Sequence, residues 1–293
     1  MKKVIVTGGA GFIGSHLVDE LIKKNIEVTV IDNLSTGKKN NINPKANFIK
    51  CDIGKDRPLF SGVDTVFYLA ATPQVQHSIE NPTDNNNIDS LINILNLSKK
   101  SGVKRFIFSS SSAVYGNPKY TPIDENHPTN PLSPYALHKL VGEQYCKLYS
   151  QIYGLDTVSL RYFNVYGERM ANEGAYKSVI SVFKEQYEQE EPLNIVNDGE
   201  QKRDFIHVKD IVNANLICGE TKNKKFNGEI YNVGTGLAYS VNQIADMFGC
   251  EKKYGEKRIE PKNSIAETAK INLDLDWKFK ENLNKFILTN IIK

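Results

Sequence analysis

Short β-branched apolar runs alternate along this chain with longer stretches whose apolar residues recur at helical spacing. Residues 3–7, 27–31, 47–50, 65–69, 105–108 and 157–160 read as buried strands. Between them, Leu17, Leu21 and Ile22 mark one amphipathic helix. Ile88, Leu91, Ile92 and Leu95 mark another over 83–100. A third starts at Ser133-Pro134, where serine caps and proline suits the first helical position. Its apolar stripe is expected to be Leu137, Leu140, Val141, Tyr145, Leu148, Tyr149 and Ile152. Strands alternating with helices predict an α/β fold, a doubly wound parallel sheet whose ligands lie beyond the carboxyl ends of the strands.

Past residue 167 the pattern loosens. A helix is expected over 179–189, a strand over 193–196, a helix over 210–218, a strand over 229–233 and a helix from Ser240 to Phe248. Trp277, Phe279, Leu283, Phe286 and Ile287 predict a closing amphipathic helix. The expected division is a nucleotide-binding unit from 1–165 and 202–226, and a smaller mixed α/β unit from 166–201 and 227–293. Length agrees with about two units, or with one large one.

Composition narrows the function classes. Hydrophobic residues make up 40% and charged residues 24%, ordinary for a protein with a substantial core. A net charge of +3 gives no case for a nucleic-acid partner or an acidic membrane surface. No stretch is long and apolar enough to span a membrane, and the run after Met1-Lys2-Lys3 stops at Thr7-Gly8. Cys51, Cys146, Cys218 and Cys250 lack metal-ligand spacing, so reduced thiols, a cytoplasmic location and no metal are expected.

Two patterns carry chemistry. Gly8, Gly11 and Gly14 follow the first strand and open the first helix, and the second strand ends at Asp32. That context suits a dinucleotide: glycines admit a pyrophosphate, a helix N-terminus offers free N–H groups, and an acid can hold a ribose diol. The charge of Asp32 would repel a 2′-phosphate, which favours NAD over NADP. The second pattern is Tyr135 and Lys139, one turn apart on a helix. An ammonium beside a phenol favours the phenolate, a proton-transfer device. Bringing a tyrosine from about 10 to neutrality takes roughly 4 kcal/mol. Alone, Tyr-x-x-x-Lys is a common surface pattern.

It is not alone. Thr7–Gly14, Ser109–Ser112 with Ala113-Val114-Tyr115-Gly116, Tyr135-x-x-x-Lys139, Arg161–Gly167, Arg203-Asp204-Phe205-Ile206-His207-Val208 and Tyr231–Gly236 stand together. With these motifs the chain resembles the extended short-chain dehydrogenases/reductases of the nucleotide-sugar epimerase/dehydratase group, over essentially its whole length. Its pattern is most similar to the UDP-glucose 4-epimerase-like enzymes, including those acting on UDP-N-acetylglucosamine.

The resemblance implies a role for each matched residue. Gly8, Gly11, Phe12, Ile13 and Gly14 would meet the NAD pyrophosphate, and Asp32, Asn33 and Ser35 the adenosine ribose. Asp52 and Ile53 would flank the adenine, while Leu69, Ala70, Ala71, Asn87 and Tyr162 would line the rest of the cofactor groove. Ser111, Tyr135 and Lys139 would form the catalytic set. Asn164 and Arg203 would hold the substrate diphosphate with a second basic residue, for which Arg258 competes with Lys257 and Lys262. Ser264 would gate the sugar pocket, leaving room for an N-acetyl group.

The implied activity is 4-epimerisation of a UDP-hexose through a 4-ketone, on UDP-glucose and UDP-galactose and on their N-acetyl counterparts. UDP-glucuronate 4-epimerases share the serine segment and stay open as alternatives, as do dehydratases and decarboxylases of the same fold. Ser112 and Ala113 stand where a 4,6-dehydratase carries a carboxylate, which argues against elimination. A non-catalytic NAD sensor would be expected to lose the Tyr/Lys pair. Homodimerisation through the helices at 83–100 and 135–152 is also implied.

Overall fold

The computed structural model describes residues 1–56, 58, 60–73, 75–82, 87–170, 178–255 and 262–292. The first half runs β1 (Lys3–Thr7), α1 (Phe12–Lys23), β2 (Glu27–Asp32), β3 (Asn47–Lys50), β4 (Thr65–Tyr68), α2 (Val75–Glu80), α3 (Asn87–Lys100), β5 (Arg105–Ser111), α4 (Pro134–Tyr153) and β6 (Asp156–Tyr162). There follow β7 (Asn164–Tyr166), α5 (Val179–Glu188), β8 (Leu193–Ile195), β9 (Lys202–His207), α6 (Val208–Glu220) and β10 (Glu229–Val233). The chain ends with β11 (Ala238–Ser240), α7 (Val241–Phe248), β12 (Lys252–Tyr254), β13 (Asn263–Ser264), α8 (Ala269–Leu275) and α9 (Leu283–Asn290).

Seven strands form one sheet in the order β10-β6-β5-β4-β1-β2-β3. Every neighbouring pair is parallel. The apolar runs lie here because a sheet covered on both faces needs strands apolar on both. On one face Leu17 and Leu21 of α1 meet Ile211 and Ala214 of α6. On the other, Leu91, Ile94 and Leu95 of α3 meet Cys146 and Tyr149 of α4. The order reverses beside β1, which places the glycine turn at the switch point where such sheets bind ligands.

A smaller sheet is centred on β9, with β7 and β13 parallel to it and β11 antiparallel. Ile180 and Phe183 of α5, Ile244 and Phe248 of α7 and Phe286 and Ile287 of α9 share a third core. Strand membership crosses the expected division at β7, β9 and β10. β9 belongs to the small sheet and β10 to the large one, where it pairs with β6.

Local signals held where they were local. Ser133 Oγ accepts the Ala136 N–H at 3.1 Å, and Ser240 forms a full capping box with Gln243. Two expectations are corrected. The closing helix starts only at Leu283, and Trp277 is instead a buried residue of the large core. The stripe expected to bury α4 is split: Leu137, Leu148 and Ile152 are 48%, 43% and 60% exposed, Leu140, Val141 and Tyr145 are half-buried, and only Tyr149 is buried. The buried face carries Ala136, Lys139, Gly142, Glu143, Cys146 and Tyr149. The sheet takes the polar row because β5 and β6 supply partners for it. Of the helix expected over 83–100, Asn87–Lys100 is helical and residues 83–86 lie outside the described residues.

Candidate active site

The glycine turn joins β1 to α1 at the carboxyl edge of the large sheet. Gly8 has φ +71°, and a Cβ there would stand 2.8 Å from the Ala70 nitrogen. A Cβ on Gly14 would collide with the Gly8 carbonyl. The turn is therefore bare backbone by necessity. The first turn of α1, beginning with Phe12 and Ile13, has no side-chain cap from Gly11 and no acidic residue. Uncapped N–H groups at a helix N-terminus suit a diphosphate.

Asp32, buried at the end of β2, accepts the Ala10 N–H at 3.0 Å and the Leu34 N–H at 2.8 Å. A carboxylate has acceptor capacity for a diol beyond two such bonds. Asn33 Oδ1 takes the Ser35 N–H at 2.9 Å. At the end of β3, Asp52 accepts from Gly54 N–H at 3.1 Å, and the carbonyl of buried Ile53 takes the Asn93 amide at 2.5 Å. Leu69 and Ala70 donate their N–H groups to the Thr7 carbonyl and hydroxyl, both at 3.2 Å. Ala71 follows, half-buried, and Asn87 Oδ1 accepts the Thr72 N–H at 3.0 Å. The bare turn, the uncapped helix and the acid together fit a dinucleotide. Tyr162 points into the core, where its hydroxyl meets Ser109 Oγ and Asn215 Oδ1, each at 3.0 Å.

Ser111, Tyr135 and Lys139 are brought together by β5 and α4. Ser111 Oγ accepts the Ala113 N–H at 3.2 Å, and its hydroxyl lies close enough to the Tyr135 phenol to favour the phenolate. Lys139 is 5% exposed. Its Nζ donates to the Ser109 carbonyl at 2.7 Å and stands 5.7 Å from the centre of the Tyr135 ring. Burial raises the Tyr135 pKa, with the Ser111 hydroxyl working the other way. Burial pushes Lys139 down to about 8, against the attraction of Glu143.

The residues expected at the substrate surround the start of β9. Asn164 Nδ2 donates to the Asp204 carbonyl at 2.8 Å. Arg203 and Ser264 are paired across β9 and β13. Asp204 itself is fully buried, and its carboxylate collects Thr235 N–H at 2.8 Å, Thr235 Oγ1 at 2.7 Å, Gly236 N–H at 2.9 Å and Ala266 N–H at 3.1 Å. One carboxylate thus ties the turn after β10 and the segment after β13 to β9. Arg258 and Lys257 lie outside the described residues, and Lys262 only precedes β13.

Sequence reasoning missed Asp204 as a hub, along with Ser78 and Glu143. The one available signal was the spacing 135, 139, 143, which puts Glu143 on the row of Tyr135 and Lys139.

Residues 4–234 match the family described as NAD dependent epimerase/dehydratase. A putative UDP-glucose 4-epimerase of Methanocaldococcus jannaschii is 45% identical, the match covering 97% of this chain and 95% of that protein. The solved structure of UDP-glucose 4-epimerase with UDP-glucose from Thermotoga maritima is 36% identical with a TM-score of 0.89, over 97% of this chain and 95% of its own. UDP-N-acetylglucosamine 4-epimerase from Methanobrevibacter ruminantium, in complex with UDP-N-acetylmuramic acid, is 39% identical with a TM-score of 0.89, over 97% and 94%.

Proposed function

The chain belongs to the NAD-dependent epimerase/dehydratase family, and from that premise we propose that it interconverts UDP-hexoses epimeric at C4 through a 4-ketone. The observation that carries this reading is the buried Lys139 ammonium, held by the Ser109 carbonyl one helical turn from Tyr135 and 5.7 Å from the centre of its ring.

The glycine turn, the uncapped start of α1 and Asp32 would hold NAD, which when bound would supply reversible hydride transfer at C4 of the sugar. The remaining work falls to side chains. Tyr135, as phenolate, takes the proton of the 4-hydroxyl and gives it back when the ketone is reduced. Ser111 is placed to share a hydrogen bond with the same oxygen and to hold Tyr135 in position. Lys139 provides a positive charge in a site closed to water, where it counts for more than it would in solvent. Ser112 and Ala113 offer no carboxylate for elimination, so the ketone has reduction as its outlet.

Asn164 and Arg203 are the residues we assign to the UDP diphosphate, since a guanidinium fork matches its geometry. Ser264 borders the sugar and leaves space for an N-acetyl group, in keeping with the relative named for UDP-N-acetylglucosamine. The outward leucines of α4, Leu137 and Leu148 with Ile152, support a homodimer built on α3 and α4. Four free cysteines support a reducing, cytoplasmic setting. Among the described residues no helix is long and apolar enough to cross a membrane.

The test is direct. Purified protein mixed with UDP-galactose should yield UDP-glucose, and Tyr135→Phe should lower the rate by about 10²–10⁴-fold, the usual weight of general acid–base catalysis. Near-normal turnover in Tyr135→Phe would sink the assignment.

A further inference from the structure

Glu143 lies one turn beyond Lys139, so residues 135, 139 and 143 form one row along α4. Its carboxylate is closed to solvent. Oε1 accepts from the Ser110 hydroxyl at 2.5 Å and from Arg161 Nε at 2.8 Å, and Oε2 accepts from Arg161 Nη2 at 2.7 Å. Arg161, 3% exposed on β6, also donates to the Tyr115 hydroxyl at 2.8 Å, which donates to Asn232 Oδ1 at 2.6 Å. A single buried carboxylate therefore joins α4, the end of β5 beside Ser111, and β6.

A buried ion pair is a poor device for stability, since apolar residues of the same volume often serve as well. Its place beside the reacting groups calls for another reason. We propose that Glu143 is a positioning residue of the reaction, clamping the end of β5 to α4 so that Ser111 and the Lys139 ammonium keep their places around Tyr135. The inference rests on the function proposed above.

The surroundings of Lys139 support an electrostatic part to this role. On α4 it is faced by Tyr135, Glu143 and Cys146. From β5 come the Ser109 carbonyl and the Phe108 ring, 5.2 Å away, and the neighbouring β6 carries Arg161 and Tyr162. Burial pulls the lysine down, and the charge of Glu143 opposes it. Burial raises the Cys146 thiol beyond any working pH, so it stays neutral. Glu143 is thus the anion that helps keep Lys139 charged.

The experiment compares wild type, Glu143→Gln and Glu143→Gln/Arg161→Gln for melting temperature, KM and the pH profile of kcat with UDP-galactose. The single variant strands a buried guanidinium and should melt lower; the double variant removes both charges and should recover. Both should keep KM within about twofold, lose at least about tenfold in kcat, and show the alkaline fall of kcat at lower pH. A double variant that melts like wild type, with kcat within threefold and an unmoved alkaline limb, would overturn the proposal. So would a loss confined to KM.

If neither glutamine variant folds, Ser110→Ala decides, because it cuts the clamp and leaves the ion pair. Reduced kcat at unchanged KM supports the proposal, and wild-type kcat overturns it. If wild type acts on no UDP-hexose, the functional reading fails, and Glu143 is judged by melting temperature against pH. The alkaline rise due to Lys139 should then begin at lower pH in the double variant, and an unmoved rise counts against the charge role.

Discussion

Ser78 Oγ accepts the backbone N–H of Tyr135 at 3.1 Å. The hydroxyl proton of this fully buried serine is committed to the Val75 carbonyl at 2.5 Å, so its oxygen is available as an acceptor. Tyr135 is the second residue of α4, where the N–H has no partner within the helix. Ser133 caps Ala136, and Ser78 of α2 caps Tyr135 itself. Removing it leaves a buried donor unpaired, at about 1–3 kcal/mol. Ser78→Ala should therefore lower kcat by about tenfold while KM for the UDP-sugar stays within twofold. Unchanged kcat with a lower melting temperature would make Ser78 a packing residue only.

Lys139 makes a prediction about stability whose sign is set by its burial. Its pKa falls from 10.5 to about 8 on folding. Between those values the native state binds fewer protons than the unfolded chain, so stability rises with pH across that window. Below pH 8 the cost of the buried ammonium is present in full, on the order of 3 kcal/mol. Lys139→Met should thus raise the melting temperature at pH 7 while abolishing epimerisation, and its advantage should shrink from pH 8 to 10.5. A variant less stable than wild type at pH 7 would contradict the assigned cost.

These groups also show where the sequence stopped being readable. The caps at Ser133 and Ser240, the glycine turn and the strand runs depend on neighbours a few residues away, and each is where the pattern placed it. The orientation of α4 does not. Its leucines pointed to one face, yet the sheet receives Lys139 and Glu143, because Arg161 and the Ser109 carbonyl satisfy them from β6 and β5. A hydrophobic pattern cannot register partners supplied by another strand. The same holds for Asp204, whose N–H partners are 31 to 62 residues away in sequence. Likewise, β9 and β10 were assigned by chain order, whereas sheet membership is set by pairing with β7 and β6.

Asp32 ties the glycine turn to β2 through the Ala10 N–H and also accepts the Leu34 N–H just beyond the strand. Asp32→Asn keeps one acceptor but loses the charge that would repel a 2′-phosphate. Hydrogen bonds to charged groups contribute about 1.5–3 kcal/mol, so NAD affinity should fall by about tenfold or more. NADP binding should weaken less or improve. Titration calorimetry with both dinucleotides checks this, and an unchanged NAD to NADP ratio would remove Asp32 from the ribose site.

Ser264 offers the sharpest test of substrate choice. It is half-buried in β13, paired with Arg203, and two residues later the Ala266 N–H is held by Asp204 at 3.1 Å. The segment is fixed at both points, so a ring introduced at 264 could not be relieved by a shift of the backbone. Ser264→Tyr should then fill the space assigned to an N-acetyl group without reaching the diphosphate. Turnover of UDP-N-acetylglucosamine and UDP-N-acetylgalactosamine should drop by at least about a hundredfold, a steric cost of roughly 3 kcal/mol. Rates on UDP-glucose and UDP-galactose should stay within about threefold of wild type, under 1 kcal/mol. Kinetics with the four sugars separate the outcomes. An equal loss on all four would mean that residue 264 shapes the site as a whole, and that something other than its size sets the tolerance for the N-acetyl group.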